Sequence, residues 1–352
     1  NRQQLFKQLA QDWKSYFSSM KDYNNNPNKY QGQPRPPKFK YLNSNPSEII
    51  FTNLATRIRE GSLLLSLSKE IKSKYGVKSL KFQLPLAIES YINLDTLQQI
   101  RIKQDNFSKE WYLLVIYKVK PKNKLQDNNI MAIDLGLDNL ATLTFKDNAK
   151  SYIINGKAVK SKNSYFNKEL AKLQTIRMKQ TGSKKFKDTN KIKQLRIKRK
   201  NYIANYLHQA SRKIINLAKK HKVSKIIIGD LKQIKQNMNY NKSFVQVPIQ
   251  RLKELIEYKA KLEGIEVIIL NEAYTSGCSA LDLEKLNKDN YNKSRRIERG
   301  LFKSNIGLTI NADVNGSLNI MHKFLDKKCI PELVNQARDN GVVTPPERIR
   351  VA

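Results

Sequence analysis

The sequence predicts an α/β protein in which a mixed β-sheet follows a smaller all-β domain. Two observations support this prediction. Short β-branched or aromatic segments occur between residues 48 and 119, separated by turn-rich or charged stretches, which favours antiparallel strands. After residue 126, strand patterns alternate with helical patterns, which favours a sheet with some parallel pairing. The chain has 352 residues, 39% of them hydrophobic, so it can bury the cores of two domains.

The N-terminal segment, 1–35, predicts one helix and a linker. Leu5, Leu9, Trp13 and Phe17 recur every fourth residue, so they form an apolar stripe that we expect to pack in a core. Prolines, glycine and asparagines then follow the stripe, which ends the helix in an extended connector. Because the chain opens inside this helical pattern and without a methionine, we expect a preceding segment to be missing.

A small antiparallel sheet or barrel is predicted over 36–125. The polar stretch PKNKLQDNN (121–129) follows it and is the predicted domain boundary. Its strand segments are EIIFT, SLLLSL, IRIKQ and WYLLVIYKV.

The second unit predicts five strands and intervening helices. Apolar residues at helical spacing predict a pair of helices within 164–222 and one helix over about 248–263. The resulting order, β-β-β-α-β-α-β, is the RNase H-like arrangement. The strand segments are IMAID (130–134), ATLTF (141–145), SYIIN (151–155), KIIIG (225–229) and IEVIIL (265–270).

The charge of the chain predicts a polyanionic partner. Lys and Arg number 66 against 30 Asp and Glu, which gives a net charge of +36. Such self-repulsion weakens a compact state unless phosphates or counterions neutralise it, so nucleic acid is the leading candidate. Lysine-rich coding bias is the alternative explanation.

Two basic stretches are predicted to contact phosphates: the helical insertion 164–222 and the loop 275–310. The segment 179–200 alone has ten basic residues against one acidic residue, although a solvated helical hairpin would have the same composition. The predicted contacts are Lys184, Lys185, Lys187, Arg196, Lys198, Arg199, Lys200, Arg295, Arg296 and Arg299.

Other kinds of site have little support in the sequence. Cys278 and Cys329 are too few for a disulfide framework or a four-thiolate zinc site, so we expect no zinc, a reducing compartment and a buried or inert Cys278 thiol. No apolar run is long enough to span a membrane, and the N-terminus is no signal peptide, so we expect no membrane partner. No Ser-His-Asp set or phosphate-binding glycine loop is evident.

Two aspartates follow the pattern of a metal-dependent nuclease. Phosphodiester hydrolysis with Mg²⁺ needs hard oxygen ligands gathered at one edge of a sheet. Asp134 ends the first strand of the second unit, and Asp313 begins a predicted helix. Each also has an ordinary structural explanation, because Asp is a common turn former and a common helix cap.

Five motifs extend this pattern: IMAIDLGLDNLATLTF, KIIIGDL, NEAYTSGCSALD, RRIERGLF and INADVNGSLNI. In this order they resemble the RuvC-like nuclease half of the TnpB (OrfB) proteins of insertion sequences, over residues 126–325. More loosely, 1–35 resembles the end of the family's helical recognition lobe, and 36–125 resembles its β-barrel wedge domain. The resemblance implies an RNA-guided DNA endonuclease related to type V CRISPR effectors. Its implied partners are a guide RNA and a target DNA, its metal is Mg²⁺ and its location is the bacterial cytoplasm, at the nucleoid.

The chain departs from this family at the second metal ligand. Typical members have Glu where this chain has Gly229, and strand alternation turns Asp230 to the opposite face. Glu272 follows the fifth strand, and a side chain that curls back over Gly229 would close much of the distance to Asp134. We therefore predict that Asp134, Glu272 and Asp313 bind two Mg²⁺ ions, with Asp134 bridging them.

Two alternatives remain at this stage. Gly229 is also expected in a nuclease-inactive, guide-directed DNA-binding repressor, and a basic RNA-binding protein without DNA targeting would explain the charge alone. The tail, 326–352, has proline, glycine and mixed charge without periodicity, and it receives no assignment.

Overall fold

The computed structural model describes residues 2–39, 48–85, 92, 95–105, 109–230, 247–325 and 329–351. The chain divides into two compact units, Asn1–Val119 and Lys120–Ala352, close to the predicted boundary at 121–129. Both units contain helices and sheets, so the mixed α/β class is as predicted. In the described part of the chain, no helix is long and apolar enough to cross a membrane.

The first unit begins with the predicted helix, α1 (Arg2–Asn25). The expectation that its apolar stripe packs in a core was wrong, because Leu5 is 57% exposed, Leu9 50% and Phe17 61%. Trp13 and Phe17 stack on each other instead, with ring centroids 5.7 Å apart. Helical periodicity identifies an apolar face, but it does not identify what covers that face.

The rest of the first unit forms two antiparallel three-stranded sheets, ordered β1-β5-β6 and β2-β3-β4. Phe51, Leu63, Leu65, Leu97 and Ile100 come from both sheets and share one buried core. The elements are β1 (Ile49–Thr52), β2 (Thr56–Arg59), β3 (Ser62–Ser66), α2 (Lys69–Tyr75), β4 (Ser79–Gln83), β5 (Leu97–Gln104) and β6 (Trp111–Tyr117).

The second unit is built on a six-stranded sheet with the order β11-β10-β7-β8-β9-β14. Strands β7, β8 and β9 are antiparallel, and β10 and β11 run parallel to β7. The predicted five-strand order is therefore present, with a helical pair after the third strand. The elements are β7 (Asn129–Leu135), β8 (Asn139–Phe145), β9 (Tyr152–Asn155), α3 (Lys157–Thr181), α4 (Asn190–Lys220), β10 (Val223–Asp230), α5 (Ile249–Leu262), β11 (Glu266–Asn271), β12 (Leu301–Lys303), β13 (Thr309–Asn311), α6 (Ala312–Phe324), α7 (Glu332–Asn340) and β14 (Glu347–Ile349).

Different helices cover the two faces of this sheet. One face packs Met131, Ile133 and Ile228 against α4 and α5. The other packs Ile130, Ala132 and Ile227 against Ile320 and Met321 of α6. Because successive residues of a strand point to opposite faces, Asp134 and Gly229 lie on the α6 face.

The described part of the tail joins the second unit, although the sequence gave it no assignment. Strand β14 pairs in parallel with β9 and becomes the sixth strand of the sheet. Helix α7 buries Leu333, Val334 and Ala337 in a cluster with Phe302 and Ile310. The sheet therefore ends in a strand that local periodicity does not reveal, because β14 is only three residues long.

Candidate metal centre and nucleic-acid interface

Asp134 lies next to the last residue of β7 and is packed against a glycine of α6. Its Oδ2 atom is 2.7 Å from the point where a Cβ on Gly316 would stand, so α6 can approach β7 only because residue 316 has no side chain. Burial raises the pKa of Asp134 well above its ordinary range, and the charges of Glu272 and Asp313 raise it further, while Arg296 opposes them. This carboxyl group therefore lies among like charges.

Glu272 occupies the space above Gly229. Strands β7 and β10 pair Ile133 with Ile228, so the next residues along them, Asp134 and Gly229, are neighbours. Glu272 Oε2 lies 2.6 Å from the point where a Cβ on Gly229 would stand, and it is buried without a hydrogen-bond partner among the described residues. Burial is the main cause that raises the pKa of Glu272, and Asp230 adds to it. The Glu272 side chain thus curls back over Gly229, which is the position predicted from the sequence.

The turn that carries Glu272 is held by α6. Lys323 Nζ donates hydrogen bonds to the carbonyl oxygens of Asn271, at 2.9 Å, and Ala273, at 2.6 Å. Thr275 Oγ1 donates to the Glu272 carbonyl at 2.7 Å, and Asn319 Nδ2 donates to the Thr275 carbonyl at 2.8 Å. These bonds fix the backbone on both sides of Glu272.

Asp230 lies on the opposite face, as strand alternation predicts. Its Oδ1 atom is 2.8 Å from Lys253 Nζ of α5, and the two side chains are only 16% and 5% exposed. Asp230 is therefore neutralised by a buried ion pair.

Asp313 stands in the first turn of α6 and is not the helix cap. Asn311 is the cap, because its Oδ1 atom accepts hydrogen bonds from the backbone amides of Asp313 and Val314 at 3.1 and 3.2 Å. The Asp313 carboxylate instead accepts a bond from Asn139 Nδ2 at 2.5 Å, and its Oδ1 atom is 3.9 Å from Arg296 Nη2. The capping explanation for Asp313 is thereby removed.

The chemistry of these residues fits a divalent cation. Asp134, Glu272 and Asp313 present hard carboxylate oxygens on one face of the sheet, and the buried Glu272 Oε2 has no hydrogen-bond partner among the described residues. As the side chains stand, no three His, Cys, Asp or Glu groups in the described ranges are close enough together to hold an ion. Mutual repulsion between carboxylates favours such separation until a cation neutralises it.

The predicted nucleic-acid contacts differ in the exposure of their side chains. Arg196 lies 2.5 Å from Asp188, Arg199 Nε donates to Asn163 at 2.6 Å, and Arg295 binds both oxygens of Glu284. These three arginines are partly buried in internal contacts, and their contact with nucleic acid stays a prediction. The exposed set is Lys184, Lys185, Lys187, Lys198, Lys200, Arg296 and Arg299.

Cys278 is fully buried, and its Sγ atom is 3.7 Å from the Asn287 carbonyl oxygen. Burial raises the pKa of this thiol, which makes it a poor nucleophile or metal ligand. The loop around Cys278 is bound by α6, because Asn315 and Asn319 both donate to the Cys278 carbonyl at 2.8 Å.

Several residues that shape the site were not found from the sequence, namely Asn139, Gly316, Asn319 and Lys323. Gly316 was detectable in principle, because a glycine inside a helix costs about 1 kcal/mol against alanine and usually has a packing reason. The other three are polar residues on amphipathic segments, where a solvated role is equally consistent with the pattern.

Two models of known protein families match the segments of the chain that contain these residues. The OrfB_IS605 family, described as a probable transposase, matches residues 114–235, and the Cas12f1-like TNB domain matches residues 250–320. Over these segments the chain is similar to the OrfB and Cas12f1-like families. A TnpB-like protein of Methanocaldococcus jannaschii is 26% identical to this chain over 65% of the chain and 78% of that relative.

Two further relatives carry the name Cas12f1. The CRISPR-associated endodeoxyribonuclease Cas12f1 of Sulfoacidibacillus thermotolerans is 28% identical over 64% of this chain, which spans only 53% of that protein. A solved Cas12f1–sgRNA–target DNA complex has a similar fold, with a TM-score of 0.52 and 22% identity over 73% of this chain and 52% of the other. The chain therefore spans about half the length of these relatives.

Proposed function

We propose that this chain is the nuclease-bearing part of an RNA-guided DNA endonuclease that hydrolyses target DNA at a RuvC-like site. The observation that supports this most directly is the position of the Glu272 carboxylate over Gly229, beside Asp134. In this proposal, Glu272, which follows the fifth strand, replaces the acid that typical members of the resembled family carry on the fourth strand. The names of the relatives, an endodeoxyribonuclease and a complex with guide RNA and target DNA, agree with this function.

In this proposal, Asp134, Glu272 and Asp313 hold Mg²⁺ in a two-metal site. Two divalent ions stabilise the charge on the attacking and leaving oxygens of a phosphodiester. The chain itself supplies orientation: α6 presents Asp313, Gly316 leaves room for Asp134, and the Lys323 contacts fix the turn at Glu272.

The exposed basic residues provide the affinity for nucleic acid. Lys184, Lys185, Lys187 and Lys198 form a basic surface on the α3–α4 insertion, while Arg296 and Arg299 belong to the 275–310 segment. Contacts to phosphates bind without sequence choice and weaken steeply with salt, whereas pairing with a guide RNA provides the sequence choice.

The test uses the purified protein with its copurifying RNA, matched target DNA and Mg²⁺. D134A and D313A should each abolish cleavage and leave guide-dependent binding intact, and E272Q should reduce cleavage strongly. E266Q is the matched control, because Glu266 is an exposed acid at the other end of β11 and should cleave as the parent does. Parental cleavage by E272Q would show that Glu272 is not a metal ligand.

A second candidate is a guide-directed DNA-binding protein without nuclease activity, which would act as a repressor. Two observations favour it: Gly229 stands in place of the family's acid, and no three-ligand cluster is drawn together among the described residues. A target that is bound but remains uncut with Mg²⁺, Mn²⁺ and Co²⁺ would favour this candidate over the nuclease.

A further inference from the structure

We propose that Asn139 and Arg348 form a positioning relay that fixes the orientation of the Asp313 carboxylate for metal binding. The inference rests on the proposed function, since it assigns Asp313 a metal, and it gives the C-terminal strand β14 a role at the site. Neither Asn139 nor Arg348 is itself a ligand in this proposal.

Asn139, the first residue of β8, bridges the other two side chains. Its Nδ2 atom donates to Asp313 Oδ2 at 2.5 Å, and its Oδ1 atom accepts from Arg348 Nη1 at 3.3 Å. An ionised carboxylate only accepts hydrogen bonds and a guanidinium only donates them. Only the carbonyl oxygen of the Asn139 amide can accept a hydrogen bond from Arg348. Arg348 therefore turns the NH₂ group of the amide towards Asp313.

The tail that supplies Arg348 is built into the sheet. Strand β14 pairs in parallel with β9, with Arg348 opposite Ile153, and β9 in turn pairs with β8 through Asn139 and Asn155. Val351 is 8% exposed, which anchors the chain just beyond the strand. Arg348 thus reaches Asn139 from a fixed position.

The turn that precedes Asn139 is also fixed. Lys160 of α3 contacts Asp138 Oδ1 at 2.7 Å, and Arg299 also pairs with Asp138. A Cβ on Gly136 would stand 2.6 Å from the Asn139 carbonyl oxygen, so the turn is closed as tightly as a glycine allows. The bridging amide is therefore held by its backbone as well as by its two partners.

The contact with Asn139 gives the two carboxylate oxygens of Asp313 different surroundings. With Oδ2 bound to Asn139, the other oxygen, Oδ1, faces Arg296 at 3.9 Å, a distance that leaves it open to a stronger partner. Without the relay, the carboxylate would rotate about its side-chain bonds and lose orientation entropy on binding a cation. Removing a residue that orients a metal ligand typically weakens metal affinity about 10- to 100-fold.

The test measures the binding of Mn²⁺ alone to the full chain by isothermal titration, with cleavage as a separate readout. We expect N139A to weaken Mn²⁺ binding about 10-fold. R348A should weaken it by a smaller factor, about 3-fold, since its bond is long and exposed. R348K keeps a donor and should restore part of this loss. R350A is the matched control, because Arg350 is an exposed arginine two residues along the same segment.

The outcomes separate this inference from the proposed function. Weaker Mn²⁺ binding by N139A, with an unchanged melting temperature of the metal-free protein, supports the relay even if no target is cut. The relay is wrong if N139A binds Mn²⁺ with the parental affinity, or if R348A and R350A have equal effects. If the parental protein still cleaves the target in that case, the proposed nuclease function is unaffected. If the parental protein binds no Mn²⁺, the relay is wrong, and the cleavage assay alone then decides the proposed nuclease function.

Discussion

The two faces of the central sheet neutralise their acidic side chains in different ways. On the face covered by α4 and α5, the Asp230 carboxylate is balanced by Lys253 in a nearly buried ion pair. On the face covered by α6, Asp134 lies among like charges and Glu272 Oε2 has no hydrogen-bond partner within the described ranges. Since burying an unbalanced charge is costly, its retention on one face supports the metal binding proposed there.

The largest expected effect is a loss of stability on the face covered by α4 and α5, where Lys253 balances the charge of Asp230. K253M leaves the Asp230 carboxylate buried without its lysine, and breaking such a pair typically costs about 3 kcal/mol of unfolding free energy. Chemical denaturation should show this loss, while Mn²⁺ affinity should fall much less than in E272Q, because Lys253 acts on Glu272 only through its charge. The double variant D230N/K253M should recover much of the stability. A large loss of metal affinity in K253M would contradict the division of roles between the faces.

The next effect tests the contact between α6 and Asp134. G316A places a methyl group where the Asp134 carboxylate now lies, so the carboxylate must move by a fraction of an ångström. Misplacement of a catalytic group on this scale costs about 100-fold in rate, whereas alanine should favour the helix by up to about 1 kcal/mol. Cleavage rates and thermal melts of the same preparation would separate the two effects.

A smaller effect is expected at the other glycine. G229A brings a methyl group within 2.6 Å of Glu272 Oε2 and 2.8 Å of Ile320 Cδ1, and both are ends of flexible side chains. The Glu272 carboxylate should therefore be displaced at little cost to stability, and we expect cleavage to fall about 10-fold, or about 1.4 kcal/mol in activation free energy. Unchanged cleavage and Mn²⁺ affinity would contradict the role given to the open position at Gly229.

The smallest effect concerns the stability of the metal-free protein. Because the pKa of Asp134 is raised on folding, the folded state binds more protons than the unfolded state above the unfolded pKa of about 4. This group therefore lowers stability as pH rises from about 4 towards the folded pKa. D134N should remove that penalty, so its melting temperature at pH 7 should be higher than that of the parent. At pH 4 the parent and the variant should melt together.

Much of the second unit follows from local sequence. The strands β7, β8 and β10 are buried runs of β-branched and apolar residues, and β11 is a similar run at the more exposed edge of the sheet. The existence and order of these strands were therefore predicted correctly. The position of Asp230 on the opposite face also follows from the sequence, because the alternation of side chains between the two faces is a property of a single strand. Short elements such as β14 and β12 were missed, since three residues carry no detectable period.

The exposed apolar stripe of α1 shows what local sequence does not predict. Its spacing predicted a helix correctly and its burial wrongly, because periodicity reports the chain's own geometry and not the partner of a face. The same limit applies to Arg295, whose bidentate contact with Glu284 depends on how a loop folds back on itself.

By itself, the sequence determined the longer helices, the main strands of the sheet, the strong positive charge and the acids that end up on one face. The tertiary structure decided that Glu272 fills the space over Gly229, that Gly316 admits Asp134, and that the C-terminal strand reaches Asn139. The physical reason is that backbone period and burial are local properties of a segment. The meeting of side chains from distant segments depends instead on how those segments pack, to within fractions of an ångström.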